Sequence, residues 1–247
     1  MHSPVEQFAI KVLFALNLFG FDIQFTNSAL FMVLAVLVSS VFLYMAMKPA
    51  AVIPGRMQGL AEMLYEFVAD MVRSNVGNEG KPYFPFIFTL FIFVLFSNLL
   101  GLIPYSYTTT SQIVVTFAMA IVIFLGVTVI ALIKHGLHFF SFFVPAGAPK
   151  VLIPFLVLIE VISYFVRPVS LSVRLFANML AGHTMLKVFG GLAVMIASAG
   201  GVFVAGSILP LVAIVGLTGL EILVAVLQAY VFTILTCMYL NDALHLH

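Results

Sequence analysis

From Val151 to about Met195 the chain stays apolar for roughly 45 residues, and after Gly200 and Gly201 it does so again for about 35, from Ser207 to Asn241. As one straight helix at about 1.5 Å per residue, the first run measures about 70 Å, more than twice the roughly 30 Å hydrocarbon core of a bilayer. A soluble fold has no means of hiding both. Only 8% of the residues are charged and 64% are hydrophobic, whereas soluble domains carry about 25% charge. The chain is therefore counted in membrane spans. A net charge of +1 offers no field for nucleic acid. Trp is absent, which leaves Tyr and Phe for any interfacial belt. The single cysteine, Cys237, sits in an apolar run and cannot form an internal disulfide.

The expected architecture is all-α and polytopic, one integral membrane domain over 1–247. No cleavable leader is evident in the first 24 residues, which contain Glu6, Lys11 and Asp22. The first span, 28–47, would serve as its own insertion signal. An amphipathic helix is expected over 56–74. Leu60, Met63, Leu64, Phe67, Val68, Met71 and Val72 recur at the spacing of one helical stripe, and Glu62, Glu66 and Asp70 repeat every four residues elsewhere. It is too polar to span and is expected flat on the membrane. A helical hairpin over 86–133 follows, turning through the uncharged loop 105–111. The long runs within 151–241 admit two readings: two upright spans each, or one strongly tilted helix each. Pro168, Gly190, Gly191 and Pro210 supply breaks for either. Upright spans would put Arg167–Pro168 in a turn and Arg174 near an interface. Lys48, Arg56, Arg73, Lys81, Lys134 and Lys150 crowd the 48–82 and 134–150 connections, while 105–111 and 190–206 hold no Lys or Arg. With five spans this places the N-terminus outside and His247 inside. No internal repeats mark an inverted-repeat transporter.

Ionisable residues inside apolar runs are functional suspects. Here they are Glu160, Arg167, Arg174, His183, Lys187 and Glu221, with Ser163, Asn178 and Gln228 among the polar companions. At about 100° per residue, Glu160, Arg167, Arg174 and Asn178 share one stripe if the helix continues past Pro168, while His183 faces about 180° away from Arg174. Glu221 and Gln228 share a face two turns apart. The pattern suggests two polar routes: Glu160 and Ser163 near the cytoplasmic end, His183 and Glu221 towards the outside. Arg174 lies between them, unable to relay protons by titrating yet able to block cations and hold a carboxylate. Plainer readings stand beside these. Arg167 can satisfy carbonyls freed by Pro168, Lys187 can snorkel, and His183 with Glu221 can be a structural pair. The small residues Ala177, Ala181, Gly182, Ala225 and Ala229 can admit a neighbouring protein's helix or pack this chain's own. No metal site or cofactor is expected, since His183 has no further ligand at helical spacing. An intramembrane enzyme lacks a serine–base, paired-Asp or metal motif.

The run Pro168-Val-Ser-Leu-Ser-Val-Arg174-Leu-Phe-Ala-Asn178-Met-Leu-Ala-Gly182-His183 closely resembles the signature of subunit a of F-type ATP synthases. Asn98-Leu-Leu-Gly-Leu-Ile-Pro104, and Glu221 with Leu227-Gln228-Ala-Tyr-Val-Phe, resemble that family's other motifs. The resemblance implies a stator subunit of the F0 sector that is not catalytic alone. Arg174 would face the carboxylates of a rotating c-ring, flanked by Asn178 and Gln228. His183, Glu221 and Asn98 would belong to an outer proton half-channel, and Glu160, beside which the residue reading sets Ser163, to an inner one. The order of histidine before acid resembles the mitochondrial and alphaproteobacterial arrangement. Gly101 stands where some members carry an acid. The resemblance favours the tilted hairpin, lying against the c-ring. It implies partners in the c-ring, the b/b′ peripheral stalk, the F1 sector through that stalk, and lipid. It implies a bacterial plasma membrane, or alternatively a mitochondrial inner membrane. A self-contained ion-coupled secondary transporter, using Glu160, Arg174 and Glu221 as a relay, is the alternative.

Overall fold

A computed structural model describes residues 10, 12–18, 21–48, 51–103, 106–144, 152–200 and 203–245. Half of the first 24 residues, Glu6 and Lys11 among them, fall outside the described residues, so the leader reading does too in that part, and Pro49, Pro104, Lys150, Gly201 and His247 also lie outside them.

A two-stranded antiparallel hairpin comes first, β1 Val12–Leu18 and β2 Phe21–Thr26, with Leu16 opposite Ile23 and an irregularity between Val12 and Phe14. The sequence reading expects no element here. The alternation Phe21-Asp-Ile-Gln-Phe-Thr26 is the period-2 signal of a strand, lost beside a composition that speaks so strongly for helices.

The helices are α1 Asn27–Met47, α2 Arg56–Val76, α3 Phe84–Gly101, α4 Ile113–His135, α5 Ile153–Ser198, a single turn α6 Phe203–Gly206, and α7 Ile208–Leu244. Five helical segments among the described residues are long and apolar enough to cross a membrane, those carrying α1, α3, α4, α5 and α7. Their exposed sides are apolar: Ile133 is 81% exposed, Leu209 78% and Val215 74%. In water such faces would drive association; in hydrocarbon they cost nothing.

The most consequential element is α5, one helix of 46 residues that contains Pro168 and runs through Gly190 and Gly191. This removes the two-upright-span reading for the first run, because Arg167–Pro168 lies inside the helix. Proline forfeits one backbone hydrogen bond and crowds the carbonyl four residues back. In hydrocarbon, leaving the helix would expose many more backbone groups, each costing several kcal/mol. Gly200, with φ at +73°, ends the turn that follows, a conformation open to glycine at little cost. Pro210 falls in the first turn of α7, where its missing N–H is harmless.

The amphipathic helix α2 ends at Gly77, whose φ of 75° and N–H donated to the Arg73 carbonyl cap it. Its apolar stripe divides. Val68, Met71 and Val72 are buried together with Ala61 and Val76, while Leu60, Met63 and Phe67 are exposed. The apolar surface is broader than one stripe, so part packs within the chain and part faces outward. Gln58 fastens the chain entering α2, its side chain bonding the Ala51 N–H and C=O at 3.2 and 3.0 Å and Glu62 at 2.8 Å.

By their contacts the residues form two units. One comprises Met1–Phe42, Ile92–Gln112 and Leu175–Ala229; the other comprises Leu43–Phe91, Ile113–Arg174 and Tyr230–His247. Each is described by itself.

Candidate functional site

In the first unit, polar groups converge from three stretches of apolar sequence. Asn98, fully buried on α3, donates through Nδ2 to the Ala225 carbonyl of α7 at 3.1 Å. Past α3 the chain turns through Ser106, whose hydroxyl bonds the Leu100 and Gly101 carbonyls at 2.6 and 3.0 Å. That turn presents Thr108, Thr109, Thr110 and Ser111, all buried. Thr108 Oγ1 lies 2.9 Å from His183 Nε2 of α5, and His183 Nδ1 lies 3.6 Å from Glu221 Oε1 of α7. His183 thus stands between a hydroxyl and a carboxyl, with its side chain 12% exposed and that of Glu221 5%. Both Glu221 oxygens, Asn98 Oδ1 and the hydroxyls of Thr109 and Thr110 have no hydrogen-bond partner among the described residues. Burying such groups costs free energy, and their concentration marks a place kept for something other than stability.

Two glycines make the space. A methyl group at Gly182 would sit 2.6 Å from Glu221 Oε1, and one at Gly101 would sit 2.7 Å from Thr108 Cγ2. The small residues sort by face. Ala225 and Ala229 are fully buried and Gly182 meets Glu221, whereas Ala177 and Ala181 are exposed. Asn178 is also exposed and Gln228 half-buried.

In the second unit, Arg167 pairs with Asp242 near the end of α7, Nη1 to Oδ2 at 2.9 Å, and its guanidinium lies 5.5 and 5.2 Å from the rings of Tyr164 and Tyr239. Asp242 lies just past the apolar run, so a search for acids within the runs misses it as a partner for Arg167. Tyr164 shares its hydroxyl with Thr128 at 2.6 Å and packs against Phe124, Phe139 and Phe143. Lys134 bonds Glu79, and His135 Nε2 lies 3.1 Å from the Ala243 carbonyl. Glu160 is half-buried and Ser163 exposed. Arg174 is exposed and, among the described residues, pairs with no acid.

Sequence reasoning names His183, Glu221 and Asn98 but overlooks Thr108, because the 105–111 segment reads only as an uncharged turn. Its run of three threonines and a serine between two apolar helices is the available signal.

The profile of the ATP synthase A chain family matches residues 29–241. The chain is 56% identical over 243 residues to the ATP synthase subunit a of Parvibaculum lavamentivorans, covering 98% of this chain and 94% of that one. It is 55% identical over 247 residues to that of Rhodospirillum rubrum, covering all of both. It is 53% identical over 244 residues to that of Rhizobium rhizogenes, covering 99% and 98%. A buried His–Glu–Thr cluster, an exposed arginine in a 46-residue apolar helix and these end-to-end likenesses agree: the chain belongs to the ATP synthase A chain family, the membrane-embedded proton-channel stator subunits of F-type ATP synthases.

Proposed function

We propose that Arg174 separates two offset proton half-channels and faces a succession of carboxylates on a rotating c-ring. The observation that carries this is the exposure of Arg174 on an apolar helix, without an acid partner among the described residues. A guanidinium facing hydrocarbon alone costs several kcal/mol, so its surroundings hold a complementary charge from another protein. The exposed Ala177, Asn178 and Ala181 on the next turns allow a helix to approach closely.

The mechanism then follows from desolvation. A proton entering through His183, Glu221 and Asn98 neutralises a ring carboxylate. The neutral site can enter lipid, where the charged one is excluded. After nearly a full turn it releases its proton towards Glu160 and Ser163, and Arg174 receives the bared carboxylate. Arg174 holds its own proton, so none crosses directly. Asn178 and Gln228 flank it. Each charge moved is worth about 2.3 kcal/mol per 100 mV, so several are summed per ATP. The chain forms one integral membrane domain, with α2 flat on the cytoplasmic surface and α5 and α7 as a strongly tilted hairpin. The b/b′ stalk holds it to the F1 sector in a bacterial plasma membrane.

The test is substitution in the assembled complex. Arg174→Ala is expected to abolish proton-driven ATP synthesis while the complex still assembles, and Arg174→Lys to fail as well, since an ammonium lacks the planar fork. Coupled synthesis by Arg174→Ala would overturn the role. A cysteine near Arg174 is expected to cross-link to a small ring-forming subunit. Exchanging His183 with Glu221 is expected to retain more synthesis than either single change; an exchange no better than the singles would argue against direct pairing.

A further inference from the structure

We propose that Thr108 is a positioning residue that fixes the tautomer of His183 and so decides which ring nitrogen exchanges protons with Glu221. The inference rests on the outer half-channel reading above but concerns a residue that reading does not use. A threonine hydroxyl has a single proton to give. Thr108 Oγ1 lies 3.3 Å from the Gly101 carbonyl, which can only accept, and 2.9 Å from His183 Nε2. With its proton on the carbonyl, the hydroxyl can only accept from the ring. Neutral His183 therefore carries its proton on Nε2 and turns the Nδ1 lone pair towards Glu221 Oε1, 3.6 Å away. The partner of one ring nitrogen sets the state of the other.

The consequence is directional. When the pair closes from 3.6 Å to hydrogen-bond distance, a protonated Glu221 transfers its proton to Nδ1, leaving a carboxylate and an imidazolium, and the reverse transfer restores both neutral groups. The Nε2 proton stays parked, because among the described residues the Thr108 hydroxyl beyond it gives its proton to the Gly101 carbonyl, and a backbone carbonyl does not pass protons on. Thr108 thus closes one side of the ring as a route and leaves Nδ1 as the exchanging position. The hydroxyl is held by its surroundings. Thr108 is buried beside Gly101, where a side chain would meet it at 2.7 Å, and its carbonyl accepts from Ser111 Oγ at 2.6 Å.

Thr108→Val keeps the shape and removes the hydroxyl; Thr108→Ser keeps the hydroxyl and removes a methyl. In the assembled complex reconstituted into vesicles, Thr108→Val is expected to lower synthesis driven by an imposed proton gradient roughly three- to tenfold, the weight of one hydrogen bond. Thr108→Ser is expected to stay within about twofold of the parent. Both are expected to assemble normally. Nitrogen-15 NMR of labelled histidine, with the His183 signal assigned by its loss in His183→Gln, is expected to show protonated Nε2 in the parent and mixed tautomers in Thr108→Val. An unimpaired Thr108→Val, a Thr108→Ser as poor as Thr108→Val, or an Nδ1-protonated parent would each overturn the proposal. Arg174→Ala in the same vesicles separates the two readings. If it remains coupled, the half-channel reading fails; if it is uncoupled while Thr108→Val is normal, only the role of Thr108 fails.

Discussion

The carboxyl of Glu221 is held where it is by the absence of a side chain opposite it. Gly182 leaves room that a single methyl would fill, since a Cβ there would stand 2.6 Å from Oε1 and 3.1 Å from Cδ. Glu221 is only 5% exposed, so its carboxyl has little space to retreat into. Gly182→Ala is therefore expected to alter the 3.6 Å approach to His183 and to lower proton-driven synthesis by roughly fivefold or more, as overpacking a buried site does. The check is the initial rate per assembled complex; a normal rate would show that the carboxyl's placement there is immaterial. The pair itself is only half legible in the sequence. Helical spacing places His183 away from Arg174 and gives Glu221 a polar face, but periodicity relates residues on one helix, not across two. Polarity alone groups them on the outer route, the family resemblance makes them an interacting pair, and the structure adds Thr108. No spacing rule finds it, because a turn has no period.

Helix α5 shows why composition and pattern are informative about elements yet leave their continuity open. A run of 46 residues with an internal proline satisfies the requirements of two spans and of one long helix equally well. Only the preference of a backbone in hydrocarbon to keep its own hydrogen bonds decides between them. In the second unit the Arg167–Asp242 ion pair, framed by Tyr164 and Tyr239, links α5 to α7. Its side chains are 23% and 36% exposed, so solvent screens it and its coupling is expected to be about 1 kcal/mol or less. Arg167→Gln and Asp242→Asn are each expected to lower the thermal midpoint of the detergent-solubilised complex by a few degrees at most. The double variant is expected to fall no further than the worse single one, because the added change removes a charge the first left unpaired. Strictly additive losses would show that the two side chains act independently. Hairpin β1–β2 is the converse case: Phe21–Thr26 alternates cleanly, but six residues weigh little beside so much apolar sequence.

At the scale of the whole molecule the open quantity is handedness across the membrane, because it decides which half-channel meets the proton source. On the proposed topology, the five helices long and apolar enough to span put the two ends on opposite sides, and Lys and Arg crowd the connections before α3 and after α4. The second unit supports reading those connections as one face. Lys134 bonds Glu79 across them, His135 reaches the Ala243 carbonyl at the end of α7, and His245 lies 4.0 Å from Glu79. On the proposed topology, charge bias assigns that face to the cytoplasm, with Glu160 on the inner route and His183 on the outer. Cysteine labelling tests this with little interference, because the native Cys237 is fully buried. Lys81, His138 and Leu13 are exposed. A membrane-impermeant maleimide is expected to label Lys81→Cys and His138→Cys in inverted vesicles only, and Leu13→Cys in intact cells only. The opposite pattern would exchange the two half-channels and reverse the direction in which a proton gradient turns the ring. Labelling of Lys81→Cys and His138→Cys from different sides would break the single-face reading, and the five-span count with it.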